Sequence, residues 1–125
     1  MSEEEISVLI VEDNRLIAFQ VSKELKSAGF KVTVANTGEG AIKLVKECDP
    51  DIILMDVNLD EERDGVEIMQ VIHNENGFIP NIFLTGYSEE DLSSRINDPS
   101  KAVILEKPVD NDVLQKTIRT LAFGV

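Results

Sequence analysis

Three four-residue apolar runs, Val8 to Val11, Ile52 to Met55 and Ala102 to Leu105, alternate along this chain with stretches of helical periodicity. Runs of this kind suit parallel strands covered on both faces. Two more strands are weaker in pattern. Lys31 to Ala35 alternates and is β-branched, which places it nearer a sheet edge. Asn81 to Leu84 follows a loop at Gly77 to Pro80. The helices show as stripes. Ile17, Val21, Leu25 and Ala28 share a face that ends at Gly29, and Ala41, Leu44, Val45 and Cys48 share another, stopped by Asp49-Pro50. A third helix starts near Gly65 and carries Ile68, Met69 and Ile72. A fourth has only Leu92 and Ile96 as large apolar residues, with Ser88 to Asp91 as its cap and acidic first turn. With so little to anchor it, this helix is expected to be the most mobile. Asp110 caps the last, whose face is Leu114, Ile118 and Leu121. Five strand–helix units in strict alternation predict an α/β fold. Its core is a doubly wound five-stranded parallel sheet with right-handed crossovers and helices on both faces.

The chain has 125 residues, a length that predicts one domain, 1–125, with its core over about 6–122. Such a chain buries roughly two-thirds of its unfolded surface and needs no disulfide or metal to hold a core. One cysteine, Cys48, excludes an internal disulfide, and one histidine, His73, argues against a multi-histidine metal site. No apolar run is long enough to span a membrane, and the start, Met1 to Glu5, is acidic where a signal peptide is basic. The cytoplasm is the expected compartment. With 24 acidic and 12 basic residues, the formal net charge is −12. Direct binding to nucleic acid or to anionic lipid is not expected.

In open α/β sheets, ligands bind beyond the carboxyl ends of the strands. Glu12 and Asp13 follow the first apolar run, Asp56 the third strand, Thr85 and Gly86 the fourth, and Glu106, Lys107 and Pro108 the fifth. No single pair is informative, but the coincidence over four strands is. Two like charges about 4 Å apart repel by roughly 4 kcal/mol at an effective dielectric of 20. Among Glu12, Asp13 and Asp56, either one carboxyl protonates or a cation sits between them. Mg²⁺ fits best, since it takes oxygen ligands and needs only one or two carboxylates. The plain alternative is that Lys107 neutralises part of the cluster and no metal binds. The set suits phosphoryl transfer to a carboxylate, which needs positioning and charge neutralisation. Asp56 is the natural nucleophile. Asp13 would hold the metal, with Glu12 beside it or acting through a water. Lys107 and Thr85 would each bind a phosphoryl oxygen, and bare Gly86 would let its N–H approach the phosphate.

From VLIVEDN at the first strand to EKPVD before the last helix, the chain resembles the receiver domain of bacterial-type two-component response regulators. The resemblance implies a flavodoxin-like fold with strand order 2-1-3-4-5, which sets Asp13 next to Asp56. It also implies Glu12 and Asp13 as the acidic pair, Asp56 as phosphoacceptor, Thr85 as switch hydroxyl and Lys107 as phosphate-binding lysine. Asn58 falls where the family offers a backbone carbonyl to Mg²⁺, and the Lys107–Pro108 peptide is expected to be cis. The implied partners are a histidine kinase as phosphodonor and a downstream protein target or covalently attached domain. A homodimer through the fourth helix, fifth strand and fifth helix is a further family option. Such a module catalyses only its own phosphorylation and dephosphorylation, so it is a signalling module and not an enzyme in the usual sense.

Three features depart from the family pattern. The loop VNLDEERDG after Asp56 is one residue longer and lacks the usual proline, and its Asp60, Glu61 and Glu62 are expected to add charge near the site. Ile104 stands where an aromatic residue is usual. Tyr87 is large, and is expected to shield the phosphoryl group and slow hydrolysis. Elsewhere Cys48 reads as a small packing residue and His73 as solvated. Phe19, Phe30, Phe78, Phe83 and Phe123 read as packing residues, Phe123 alternatively as a contact for a missing neighbour.

Two other function classes compete. A binding module that works without phosphate is disfavoured by the intact Glu12, Asp13, Thr85 and Lys107, though Ile104 leaves it room. A flavin or nucleotide binder would want a Gly- or Ser/Thr-rich loop where EDNR stands, and an aspartyl phosphatase often has a second Asp where Asn58 stands.

Overall fold

A computed structural model describes residues 5–59, 61–86, 92–96 and 102–123. The elements run β1 (Ser7–Val11), α1 (Arg15–Ser27), β2 (Lys31–Ala35), α2 (Gly38–Cys48), β3 (Ile52–Asp56), α3 (Gly65–Asn76), β4 (Asn81–Thr85), β5 (Ala102–Glu106) and α4 (Asn111–Phe123). All five strands are parallel and lie in the order β2-β1-β3-β4-β5. This is the flavodoxin-like α/β fold.

Strand geometry divides the core in two. Successive side chains point to opposite faces of a sheet. Leu9, Val11, Ile53, Met55 and Phe83 therefore join Ile68, Met69 and Ile72 of α3 on one face. Val8, Ile10, Ile52, Leu54 and Ile82 join Leu25 of α1 and Leu114 and Ile118 of α4 on the other. Every residue of β3 is buried, as its place between β1 and β4 requires. Each of its large side chains contributes roughly 1.5–3 kcal/mol by leaving water. β2 is an edge strand, as expected. The equally apolar β5 is only half-buried, because it is the opposite edge.

Local signals set the helix ends. Asn14, Thr37 and Asp64 each accept a backbone N–H two or three positions into α1, α2 and α3. Asp64 and Glu67 form a reciprocal capping box. The Asp110 carboxylate accepts from the N–H groups of Asp112 and Val113, so it caps α4 as expected. After α1 the chain turns through Gly29 at φ 100°, a conformation that favours glycine. The Lys107–Pro108 peptide is cis, as the resemblance implied.

Several side chains differ from expectation. The buried line of α1 is Ala18, Ser22 and Leu25, whereas Ile17 is 41% exposed. Leu25 is in the core and Val21 and Ala28 pack against it as expected, so of the predicted stripe only Ile17 turns outward, while small Ala18 and Ser22 are buried as well. Phe30 and Phe83 are core residues, but Phe19, Phe78 and Phe123 are exposed. His73 is not solvated. It is half-buried, its Nε2 lies 3.1 Å from the Ile79 carbonyl, and its ring packs on Phe78 at 5.2 Å between centroids. Burial holds its imidazole below the ordinary range, against the pull of the Ile79 carbonyl. The unfolded chain therefore binds this proton more readily, so His73 by itself contributes a loss of stability as pH drops below about 6.5. In urea unfolding followed from pH 7.5 to 5.5, the stability of wild type relative to a His73→Gln variant should fall as this contribution appears. An unchanged difference would refute the assignment. Cys48 is half-buried and burial pushes its thiol up, in keeping with packing and not with a reactive thiolate.

Of the expected fourth helix, Leu92 is buried and Ile96 half-buried against the α3 face of the sheet, and Arg95 pairs with Asp64 at 2.7 Å. Its cap at Ser88 to Asp91, most of the helix whose mobility was expected, and Tyr87 lie outside the described residues.

Candidate phosphoryl-transfer site

Register brings the strand ends level. Val11 pairs with Met55, so Glu12 follows beside Asp56, and Asp56 pairs with Leu84, so Thr85 follows on the other side. Glu12 and Asp56 are 5% and 3% exposed, and Asp13 is half-buried. One carboxylate oxygen from each of the three lies within 4.8 Å of the others. Thr85 is fully buried, and its carbonyl accepts from the Lys107 backbone N–H at 2.7 Å. That contact carries the β5 end to the cluster. Lys107 Nζ then donates to Asp56 Oδ1 at 3.0 Å and stands 3.9 Å from Glu12 Oε1. The structure thus brings Glu12, Asp13, Asp56, Thr85 and Lys107 to one end of the sheet.

One ammonium does not balance three carboxylates. Burial pushes the Glu12 carboxyl up to about 7, opposed by the Asn14 N–H and reinforced by the charge of Asp56. Without a cation, Glu12 is therefore much easier to protonate than an ordinary carboxyl. The two outcomes foreseen for the cluster are alternatives on the same atoms: a proton on Glu12, or a cation among oxygens. The donor set is all hard oxygen, as Mg²⁺ requires. The residues present fit that ion.

The loop after β3 is organised around Asp56. The Asn58 N–H donates to Asp56 Oδ1 at 3.1 Å, so two donors converge on one oxygen. Gly86 is exposed, and a Cβ added to it would meet nothing within 4 Å. Among the described residues, its lack of a side chain therefore relieves no crowding. A Gly86→Ala variant is expected to unfold within about 0.5 kcal/mol of wild type, and a larger loss in denaturant unfolding would contradict this. Ile104 pairs with Phe83 across β4 and β5 and packs on the α3 side.

The longer loop does something other than add charge to the cluster. Glu61 Oε2 accepts from the Gly38 N–H at 2.7 Å, at the first residue of α2. A carboxylate is favoured there by the exposed N–H groups and the helix dipole. Arg63 pairs with Glu39 at 3.0 Å, a second tie between loop and α2. Asp60 lies outside the described residues.

Sequence reading missed three participants. Asn36 Nδ2 donates to the Glu12 carbonyl at 3.0 Å, and the Asn14 N–H donates to Glu12 Oε2 at 3.1 Å. Asn36 follows β2 directly, so the rule of strand carboxyl ends, extended to the edge strand, would have found it. The third is Gly65. A Cβ there would collide with the Asp56 carbonyl oxygen and lie 2.8 Å from Met55 Cγ and 2.9 Å from Val57 Cα. Only glycine lets α3 start against the backbone of the site.

Comparison with known proteins agrees with this geometry. The family described as response regulator receiver domain matches residues 8–119. This chain belongs to that family, the receiver modules of two-component signalling. It is 32% identical over 118 residues to the transcriptional regulatory protein ZraR of Klebsiella oxytoca, covering 94% of this chain and 26% of ZraR. It is 32% identical over 102 residues to the transcriptional regulatory protein PdtaR of Mycobacterium tuberculosis, covering 81% of this chain and 49% of PdtaR. The chain thus spans between a quarter and a half of these curated relatives. The chemotaxis protein CheY4 of Vibrio cholerae superimposes with a TM-score of 0.85 at 26% identity, over 94% of this chain and 98% of that one.

Proposed function

We propose that this receiver takes a phosphoryl group from a histidine kinase onto Asp56 in a Mg²⁺-dependent reaction and thereby switches its interaction surface. The observation that carries the reading is Lys107 Nζ at 3.0 Å from a buried Asp56, with Glu12 and Asp13 beside it. In this reading a carboxylate oxygen of Asp56 forms the new P–O bond. The P–N bond to the donor imidazole breaks, and the nitrogen keeps the electron pair. Glu12, Asp13, Asp56 and the Asn58 carbonyl hold Mg²⁺, which supplies positive charge to the phosphoryl oxygens. Lys107, already paired with Asp56, is placed to take one of those oxygens. The Thr85 hydroxyl and the Gly86 N–H take others.

The phosphoryl group brings about −1.5 to −2 charge at pH 7 in place of the single negative charge of the Asp56 carboxylate. Thr85 then draws toward the phosphate, and the weakly anchored helix expected around Leu92 and Ile96 shifts together with β5 between two populated states. The reading treats residues 1–125 as one receiver acting in the cytoplasm on a downstream protein or attached domain, with a homodimer as one mode of output. No described helix is long and apolar enough to cross a membrane. Intact-mass measurement with a small acyl phosphate tests the reading. One phosphoryl adduct is expected with Mg²⁺ and none with chelator, and peptide mapping should place it on Asp56. No adduct from the acyl phosphate or from any histidine kinase of the source cell would sink it.

A further inference from the structure

The backbone from Glu12 to Asn14 is held at three points. β1 and β2 stay paired as far as Val11 and Ala35, and the Glu12 N–H donates to the Ala35 carbonyl at 3.0 Å. In an evenly spaced parallel ladder the next bond would run from the Thr37 N–H to the Glu12 carbonyl. There the chain leaves the ladder, with Thr37 as N-cap of α2. The half-buried Asn36 carboxamide supplies the donor, its Nδ2 lying 3.0 Å from the Glu12 carbonyl oxygen. On the far side of Asp13, the Asn14 N–H donates to Glu12 Oε2 at 3.1 Å. Asp13 therefore stands between two peptide groups, each oriented by a hydrogen bond.

We propose that Asn36 is a positioning residue that makes the carboxylate cluster selective for Mg²⁺ over Ca²⁺. The inference rests on the reading of Glu12, Asp13 and Asp56 as a cation site. Mg²⁺ is small and demands ligands close to ideal octahedral positions, whereas Ca²⁺ accepts longer bonds and irregular arrangements. A fixed backbone beneath the carboxylates suits the first ion. A loose one handicaps it and leaves the second little changed. Asp56 ends β3, which is paired on both sides by β1 and β4. Glu12 and Asp13 lie past the end of β1, where the sheet no longer sets the backbone. The bond from Asn36 is what continues the sheet's hold for one more peptide. Partners of this kind, which orient metal ligands without being ligands, commonly set affinity by about tenfold or more.

Amide correlation spectra of the ¹⁵N-labelled chain, titrated with MgCl₂ and separately with CaCl₂, test the proposal through the signals of Asp13, Asp56 and Asn58. An Asn36→Ala variant should bind Mg²⁺ about tenfold more weakly and Ca²⁺ within about twofold of wild type. Asn36→Asp keeps the shape of the side chain and loses the donor. Its added charge favours both ions, so the ratio of the two affinities is read, and that ratio should again move toward Ca²⁺. Should one variant not fold, the other decides alone. A merely structural loss would weaken both ions alike. An unchanged ratio would therefore overturn the role of Asn36 and leave the cation site standing. Saturable shifts with neither ion in the wild type would overturn the cation site, and this inference with it.

Discussion

A Gly65→Ala variant will unfold well below the wild type, although the substitution adds one methyl group in a helix. Alanine is the better helix former by about 1 kcal/mol in a helix interior. At Gly65 that gain is outweighed. The new Cβ would meet the Asp56 carbonyl, Val57 Cα and Met55 Cγ, two of them backbone atoms that cannot rotate aside. Relief requires α3 to back away from the end of β3. Overpacking of this kind costs about 1–3 kcal/mol, and backbone contact places this case at the upper end. A net loss of about 2 kcal/mol is expected, or roughly 8 °C in melting temperature. The effect also reaches the chemistry, because the same shift moves Asp56 relative to Lys107. Denaturant unfolding and phosphoryl-adduct yield, measured on one preparation, check both parts. A variant as stable as wild type would show that α3 has freedom to move at this contact.

The second large effect has two opposite signs. Asp56→Asn should abolish the phosphoryl adduct and, in metal-free buffer, raise stability by about 1 kcal/mol. The amide oxygen can still accept from Lys107 and from the Asn58 N–H, the two bonds that Asp56 Oδ1 accepts now. What disappears is one of three carboxylates crowded around one ammonium. The gain is far below the full repulsion of two charges, because attraction to Lys107 is lost with it and burial already makes Glu12 easier to protonate. Adding Mg²⁺ should narrow the gap, since the wild type has more to gain from the ion. Urea unfolding with chelator and with Mg²⁺ measures both terms. A less stable variant in chelator would mean that the Lys107 pair outweighs the crowding.

Much of this was legible before any coordinates. Alternating apolar runs and stripes specify a parallel sheet covered by helices, and the residues after Val11, Met55, Leu84 and Leu105 mark its polar end. The strand order came from the family resemblance, because alternation alone does not say which strands are neighbours. Other features depend on contacts between segments far apart in sequence. Ser22 looks polar and is buried because α1 sits close to the sheet. His73 looks solvated, yet the Ile79 carbonyl and the Phe78 ring cover it. Asn36 reaches Glu12 only because β2 lies beside β1. Periodicity reports which face of an element is apolar, but not which small or polar neighbours are buried with it.

The bond from Glu61 to the start of α2 bears on how this receiver can be rewired. Exchanging the loop after Asp56 for that of a relative is a natural way to graft new recognition. Here the graft would also remove the carboxylate that closes the N-terminus of a different helix. Arg63 would go with it, leaving Glu39 without its ion pair. A working chimera must therefore transplant residues 36–40 together with residues 57–64, as one unit discontinuous in sequence.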